Sequence, residues 1–342
     1  MKKRTILLVC LVLVVALATG LTACKGGGEP NKGDIPTVSE PPAGATVAPG
    51  GTSPSAPAAG KDLEIGLMVK SLGNSFFVEI KNGAEAAAAT YSDRKVTITP
   101  FDSNNDLQQE LRNAEDLATR NVDGVMLTCY DYQGSVGSVE AINNAGIPLV
   151  ILDAPPANED EVPAIVTSNN TNAGYLGAKA LCEALGGEGE VLIFTTSLGY
   201  NIRLRDQGAK KAFEEYPNIE LVHTEDGQLL IDVVLDKTQN FIERFPNLKG
   251  IWCAAGPAGR GAAAAVDSAN ADILVASVDG SMEERELIKE GKLLCSAAQF
   301  PSEIGKIGVE TMVNLIDGKP PAEKFVYVDV ALIDKDNVDD FD

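Results

Sequence analysis

The chain has 342 residues, 49 of them acidic and 28 basic, with a single histidine and a formal charge of −21. That length accommodates two domains with separate cores, and a hydrophobic content of 44% excludes a wholly disordered chain and a multi-span membrane protein. The acidic excess meets no basic patch, which excludes a nucleic-acid partner, and one imidazole (His223) excludes histidine-rich metal sites.

In chain order, Lys2-Lys3-Arg4 is a short cationic start, and Ile6 to Leu21 is a nearly unbroken apolar run. The run is shorter than a comfortable membrane span and sits at the N-terminus, as a secretory signal does. It ends in Leu21-Thr22-Ala23-Cys24, which resembles the lipobox of bacterial lipoproteins. The resemblance implies a signal peptide over 1–23 and acyl chains on Cys24 that hold the protein to a bilayer outside the cytoplasm. The plainer reading is an ordinary signal in which Cys24 is incidental. Residues 24–61 then read as a tether. Eight glycines, seven prolines and no aromatic residue lie between Lys25 and Lys61, so burial cannot offset chain entropy and disorder is expected.

From Asp62 onward strand-like and helix-like segments alternate. Strands are expected at Leu63–Val69, Val96–Thr99, Gly124–Thr128, Pro148–Leu152 and Ile165–Thr167. Five more follow at Glu190–Phe194, Glu220–His223, Gly250–Cys253, Ile273–Val278 and Leu293–Ala297. Between them, Asn74–Thr90 and Asp106–Arg120 carry apolar residues at helical spacing, the second behind an N-cap-type aspartate. Such alternation implies an α/β chain of parallel sheets covered by helices, and ten strands divide better into two lobes of about five than into one open sheet. The break is expected near Pro163–Ser168.

In doubly wound sheets the strand C-terminal ends line the ligand crevice. The residues there are Lys70, Ser71, Asn74, Phe76, Phe77, Asp102, Tyr130, Asp131, Asp153, Ser197, Asp279 and Gln299, with Arg203 and Arg205 opening a helix after Ser197. Carboxylates, amides, a guanidinium fork and flat rings together suit a polyhydroxylated ligand, whose hydroxyls donate and accept while a sugar's C–H face packs on a ring.

Ile65 to Phe77, Ile80 to Ala84, Asn113 to Leu117, Gly146-Ile147-Pro148, Ser168-Asn169-Asn170, Arg203-Leu204-Arg205, Val278-Asp279-Gly280 and Gln299-Phe300-Pro301 resemble the ribose-type periplasmic sugar-binding proteins. That resemblance runs from Lys61 to about Val330. It implies a type I periplasmic binding protein fold: two doubly wound lobes joined by a three-crossover hinge, with residues 62–167 and 300–326 in the first lobe and 168–299 and 327–342 in the second. It also implies a monomeric receptor that hands a sugar to an ABC permease and its ATPase. No cofactor, metal or catalytic residue is expected. The implied ligand contacts are Asn74, Phe76, Phe77 and Asp153 from the first lobe, Arg205 and Asp279 from the second, and Gln299 at the hinge. Ala154 and Ala255 stand where ribose-type receptors carry hydrogen-bonding side chains, so ribose itself is disfavoured. Lys70 matches relatives that bind arabinose or autoinducer-2.

Plainer roles exist for several of these residues. Asp102 and Asp279 fit turns or N-caps, and Lys70 fits an ion pair. Phe77 falls on the apolar stripe, which leaves Phe76 as the better ring for a ligand. Trp252 fits the core, and Tyr130 and Tyr200 fit either a ring platform or an ordinary loop. Arg203 and Arg205 face different ways, one toward the cleft and the other toward a surface acid. Cys129, Cys182, Cys253 and Cys295 are expected as buried thiols, with a Cys253–Cys295 bridge as the alternative. Two further functions stay open: a receptor serving a signalling partner, and a glycan hydrolase using Asp153 and Asp279.

Overall fold

A computed structural model of the chain describes residues 60–196 and 199–341. The expected signal peptide, Cys24, most of the tether and Ser197 lie outside the described residues. The last two residues assigned to the tether are ordered. Gly60 N donates to Asp93 O at 3.0 Å and Lys61 pairs with Asp123.

The first half of the chain runs β1 (Leu63–Val69), α1 (Ser75–Ala88), β2 (Val96–Asp102), α2 (Leu107–Arg120), β3 (Gly124–Leu127), α3 (Val136–Asn144), β4 (Leu149–Leu152) and β5 (Ala164–Ser168). It continues through α4 (Asn170–Ala184), β6 (Glu188–Thr195), α5 (Tyr200–Glu214), β7 (Asn218–Asp226), α6 (Ile231–Arg244), β8 (Leu248–Cys253), α7 (Gly256–Ala269), β9 (Leu274–Asp279), α8 (Met282–Lys289) and β10 (Cys295–Ala298). It closes with α9 (Pro301–Ile316), β11 (Phe325–Val328) and β12 (Ala331–Asp334).

Two six-stranded sheets result, in the orders β11-β5-β4-β3-β1-β2 and β12-β10-β9-β8-β6-β7. Among the described residues every strand pairing is parallel except β10 with β12. The short central strands β3, β4 and β5 have no exposed residue, because helices cover both faces of each sheet; apolar runs fill them, with the buried Thr167 and Ser168 closing β5. Edge positions are more permissive. Pro100 stands in β2, whose only strand partner among the described residues is β1, so the missing N–H costs no ladder bond.

Each sheet holds one strand more than the five expected per lobe. β11 and β12 both lie at sheet edges and are four residues long, too short to show a periodicity of their own. They also move the expected lobe boundaries. Ser168 closes β5 in the first sheet, and Tyr327 and Val328 stand in that sheet rather than in the second lobe. The third crossing therefore falls at residues 329–330.

Two helix contacts set the lobes' internal geometry. α1 meets α9 where a Cβ on Gly83 would fall 2.0 Å from Ser302 O, and α4 meets α5 where a Cβ on Gly174 would fall 1.8 Å from Arg205 O. Only glycine permits that approach. The second contact seats Arg205 against the N-terminus of α4.

Candidate functional site

A cavity of about 1230 Å³ opens between the strand C-terminal ends of the two sheets. Its inner wall on the second lobe is a connected polar network. Arg205, 4% exposed on the second turn of α5, donates from Nε to Asn170 Oδ1 at 2.8 Å. From Nη1 it donates to Ala254 O at 2.9 Å and to Asp279 Oδ1 at 3.1 Å. Asp279 Oδ1 also accepts from Gln299 Nε2 at 2.8 Å, and its Oδ2 accepts from Gly256 N at 2.9 Å. The carboxylate thus takes three donors, the arrangement that makes a buried ion pair tolerable. Asp279 holds φ at +122°. A non-glycine residue there costs about 1–3 kcal/mol, and such strain gathers at functional sites.

Behind Asp279 lies Glu284, fully buried and not singled out from the sequence. Its carboxylate accepts from Ser277 Oγ, from Ser296 Oγ at 2.9 Å, and from Ser281 N and Oγ at 2.9 and 2.8 Å. Burial, then the Asp279 charge, pushes this carboxyl up. A capping box on α8 fixes it in place.

The first lobe contributes Asp153, at the end of β4 with φ +69°. Its N donates to Val166 O at 2.8 Å, and its Oδ1 accepts from Asn201 Nδ2, across the cleft, at 2.9 Å. Burial raises its pKa to about 6, against the lowering pull of Arg205 and Lys70. Lys70 Nζ lies 5.1 Å from the centre of the Tyr130 ring, and the Tyr130 N donates to the buried Glu110 at 2.8 Å. Asn74 is the N-cap of α1, accepting from Phe76 N at 3.0 Å. Phe76 and Phe77 stand edge to face at 5.3 Å. Phe77, 7% exposed, belongs to the core, whereas Phe76 is only partly buried and lines the cavity.

Of the residues expected at the site, Lys70, Asn74, Phe76, Phe77, Tyr130, Asp131, Asp153, Arg205, Ala255, Asp279 and Gln299 line this one cavity. Ser71 and Asp102 do not. Ser71 Oγ accepts from Gly73 N at 3.1 Å and Asp102 Oδ1 from Asn104 N at 2.7 Å, so each spends its oxygen on the local turn. Asp131 lines the cavity while also binding the N–H groups of Gln133 and Gly134. Arg203 lies against the rings of Tyr132 and Tyr200, at 5.5 and 5.7 Å, rather than beside a surface acid. Trp252 is fully buried, and the four described cysteines are free and buried, without a Cys253–Cys295 bridge.

Asn201, Tyr132 and Glu284 were not legible as site residues. For Asn201 a signal existed: it precedes Arg205 by four positions, one helical turn, and so shares its face. A second concavity, of about 1140 Å³ beside Lys249 and Asp272, lies at the opposite ends of the second sheet's strands and holds none of these residues. Among the described residues no cluster suits a metal ion, and no helix is long and apolar enough to cross a membrane.

Comparison with known proteins bears on this geometry. The sequence pattern of the periplasmic binding protein domain matches residues 65–320. The D-allose-binding periplasmic protein of Escherichia coli is 33% identical over 261 residues, 73% of this chain and 84% of that one. The ribose import binding protein of Bacillus subtilis is 28% identical over 260 residues, 76% of this chain and 83% of its own. An ABC transporter periplasmic solute binding protein from Actinobacillus succinogenes, solved with bound D-allose, superimposes with a TM-score of 0.73 at 29% identity. That match covers 82% of this chain and all of the other. This chain is a member of the periplasmic binding protein family, with its two-lobed type I fold.

Proposed function

We propose that this chain is the solute-binding component of an ABC importer, which captures a monosaccharide or sugar-like polyol between its lobes and presents it unaltered to a permease and its ATPase. The observation that carries the reading is convergence. Arg205, Asp279 and Gln299 from the second lobe meet Lys70, Asn74, Phe76 and Asp153 from the first at one cavity. Charged donors, acceptors and a ring on facing walls match hydroxyls and a C–H face. A ligand that touches both walls only when they close is bound more tightly in the closed form, and that difference drives closure.

Binding without turnover fits the acids better than hydrolysis. Asp279 already accepts from three protein donors, one of them a guanidinium, so it is poorly placed to protonate a leaving group. Acyl chains on Cys24 would keep the receptor at the outer face of the membrane, as a monomer. Ala154 and Ala255 lack the hydrogen-bonding groups that would favour ribose, which directs attention to other polyols.

Calorimetry of the full chain against D-ribose, D-allose, D-fucose, myo-inositol and autoinducer-2, with chemical analysis of the recovered ligand, tests the reading. Saturable binding and unchanged ligand are expected. Absence of binding across the series, or recovery of a cleaved product, would overturn it.

A further inference from the structure

One group of contacts crosses the cleft and belongs to no motif. From the second lobe, Asn201 Nδ2 donates to Asp153 Oδ1 at 2.9 Å and lies 3.4 Å from Asp153 O. Asn201 is 8% exposed, and its side-chain Oδ1 is buried without a partner among the described residues. One residue before it, Tyr200 stacks on Tyr132 of the first lobe, with ring centres 5.7 Å apart and planes 15° apart. Arg203 lies against both rings, at 5.5 and 5.7 Å. Tyr132 is in turn tied to the chain beyond Asp153, its carbonyl accepting from Ala157 N at 2.6 Å. The group sits toward the hinge. After burial, the nearby Glu159 and Tyr327, the latter on β11, are the largest influences raising the Tyr200 hydroxyl pKa to about 12.

We propose that Asn201 is a positioning residue that holds the Asp153 carboxylate from the opposite lobe, and that with Tyr132, Tyr200 and Arg203 it forms a clasp restraining the lobes before any ligand arrives. Contacts made in one state of a hinge and absent in the other bias the equilibrium toward the state that has them. A hydrogen bond to a carboxylate, an aromatic stack and a cation over two rings each contribute in the same direction. Asp153 adopts a left-handed backbone, and anchoring its oxygen from across the cleft fixes which way its remaining lone pairs face. Asn201 thereby deepens the reading of the cleft as a ligand site, on which its importance for binding rests, while the clasp itself can be tested without a ligand.

The experiment is double electron–electron resonance on the full chain without sugar, with spin labels at the exposed Thr119 on α2 and Ser268 on α7. Wild type should give one dominant interlobe distance. Asn201→Ala and Tyr132→Ala should add a second population, and Tyr132→Phe, which keeps the stacked ring, should restore the single one. Asn201→Asp supplies the readout that a space-filling role would not move. At pH 8 it sets a carboxylate against Asp153 and should give the second population. At pH 5 a proton shared between the two acids should restore the first, within a surround of Arg205, Lys70 and Asp279 that is common to every variant. Identical distances in wild type, Asn201→Ala and Tyr132→Ala, or a pH-independent Asn201→Asp, would overturn the clasp. Calorimetry with the five-ligand series stands apart: a wild type that binds none of them would overturn the transport reading while leaving the distances to decide the clasp.

Discussion

Asp279→Asn keeps the outline of the side chain and removes its charge. The carboxylate takes Arg205 Nη1 and Gln299 Nε2 on Oδ1 and Gly256 N on Oδ2. An asparagine carbonyl can serve only one side. Facing Arg205 and Gln299, it sets its own amide against the Gly256 N–H; turned round, the amide meets two donors. At least one donor is left unmet, at about 1–3 kcal/mol. Arg205, 4% exposed, also loses its counter-charge, and breaking a buried pair costs about 3–5 kcal/mol. Because Asp279 keeps 24% side-chain exposure toward the cleft, the lower end applies: about 3 kcal/mol of stability. The same network aims the guanidinium, so affinity for the sugar that binds wild type should fall about a hundredfold or more. Urea denaturation and calorimetry on one preparation measure both quantities. A loss below about 1 kcal/mol together with unchanged affinity would refute the argument.

Four further outcomes are expected. Gly174→Ala should cost about 1–3 kcal/mol by pushing α5 from α4, whereas Gly137→Ala, whose Cβ meets only Leu111 Cδ1 at 3.8 Å, should be neutral or gain about 0.5–1 kcal/mol; thermal melts compare them. Phe77→Ala should cost about 3–5 kcal/mol as a core deletion, while Phe76→Ala should weaken sugar binding with a much smaller loss of stability. Asp153 has a folded pKa of about 6 against an unfolded value near 3.8, so the native state binds the extra proton between them and stability falls as pH rises through that window. Asp153→Asn should remove that slope and raise stability at pH 7 by about 2–3 kcal/mol while weakening binding, read from denaturation at pH 4 and pH 7. Cells grown with labelled palmitate should mark the wild-type chain and not Cys24→Ser, and a wild-type chain that takes up no label would refute acylation there.

Much of the architecture was legible because parallel strands buried on both faces are written as unbroken apolar runs, as at Leu149–Leu152, and because Asn74 and Asp106 mark helix starts with capping side chains. β11 and β12 were not legible. Edge strands of four residues are half exposed, and long-range pairing, not local propensity, makes them strands. At the site, strand ends pointed to Asp153, Asp279 and Gln299. The same rule also swept in Ser71 and Asp102, since a short oxygen-bearing side chain after a strand serves a turn as readily as a ligand. Glu284 escaped because a glutamate three residues into a helix reads as a cap. That it also supports the network behind Asp279 depends on Ser277 and Ser296, which arrive from other strands. Asn201 and Tyr132 escaped because contacts across a cleft leave no periodic trace in either lobe.

A crystal structure of the chain grown with whichever sugar binds most tightly in calorimetry is the most direct measurement. An intact ring should lie on Phe76, hydrogen-bonded to Asp153 from one side and to Arg205 from the other. A sugar seated elsewhere on the molecule, or held by one lobe alone while Arg205 and Asp279 face solvent, would contradict it.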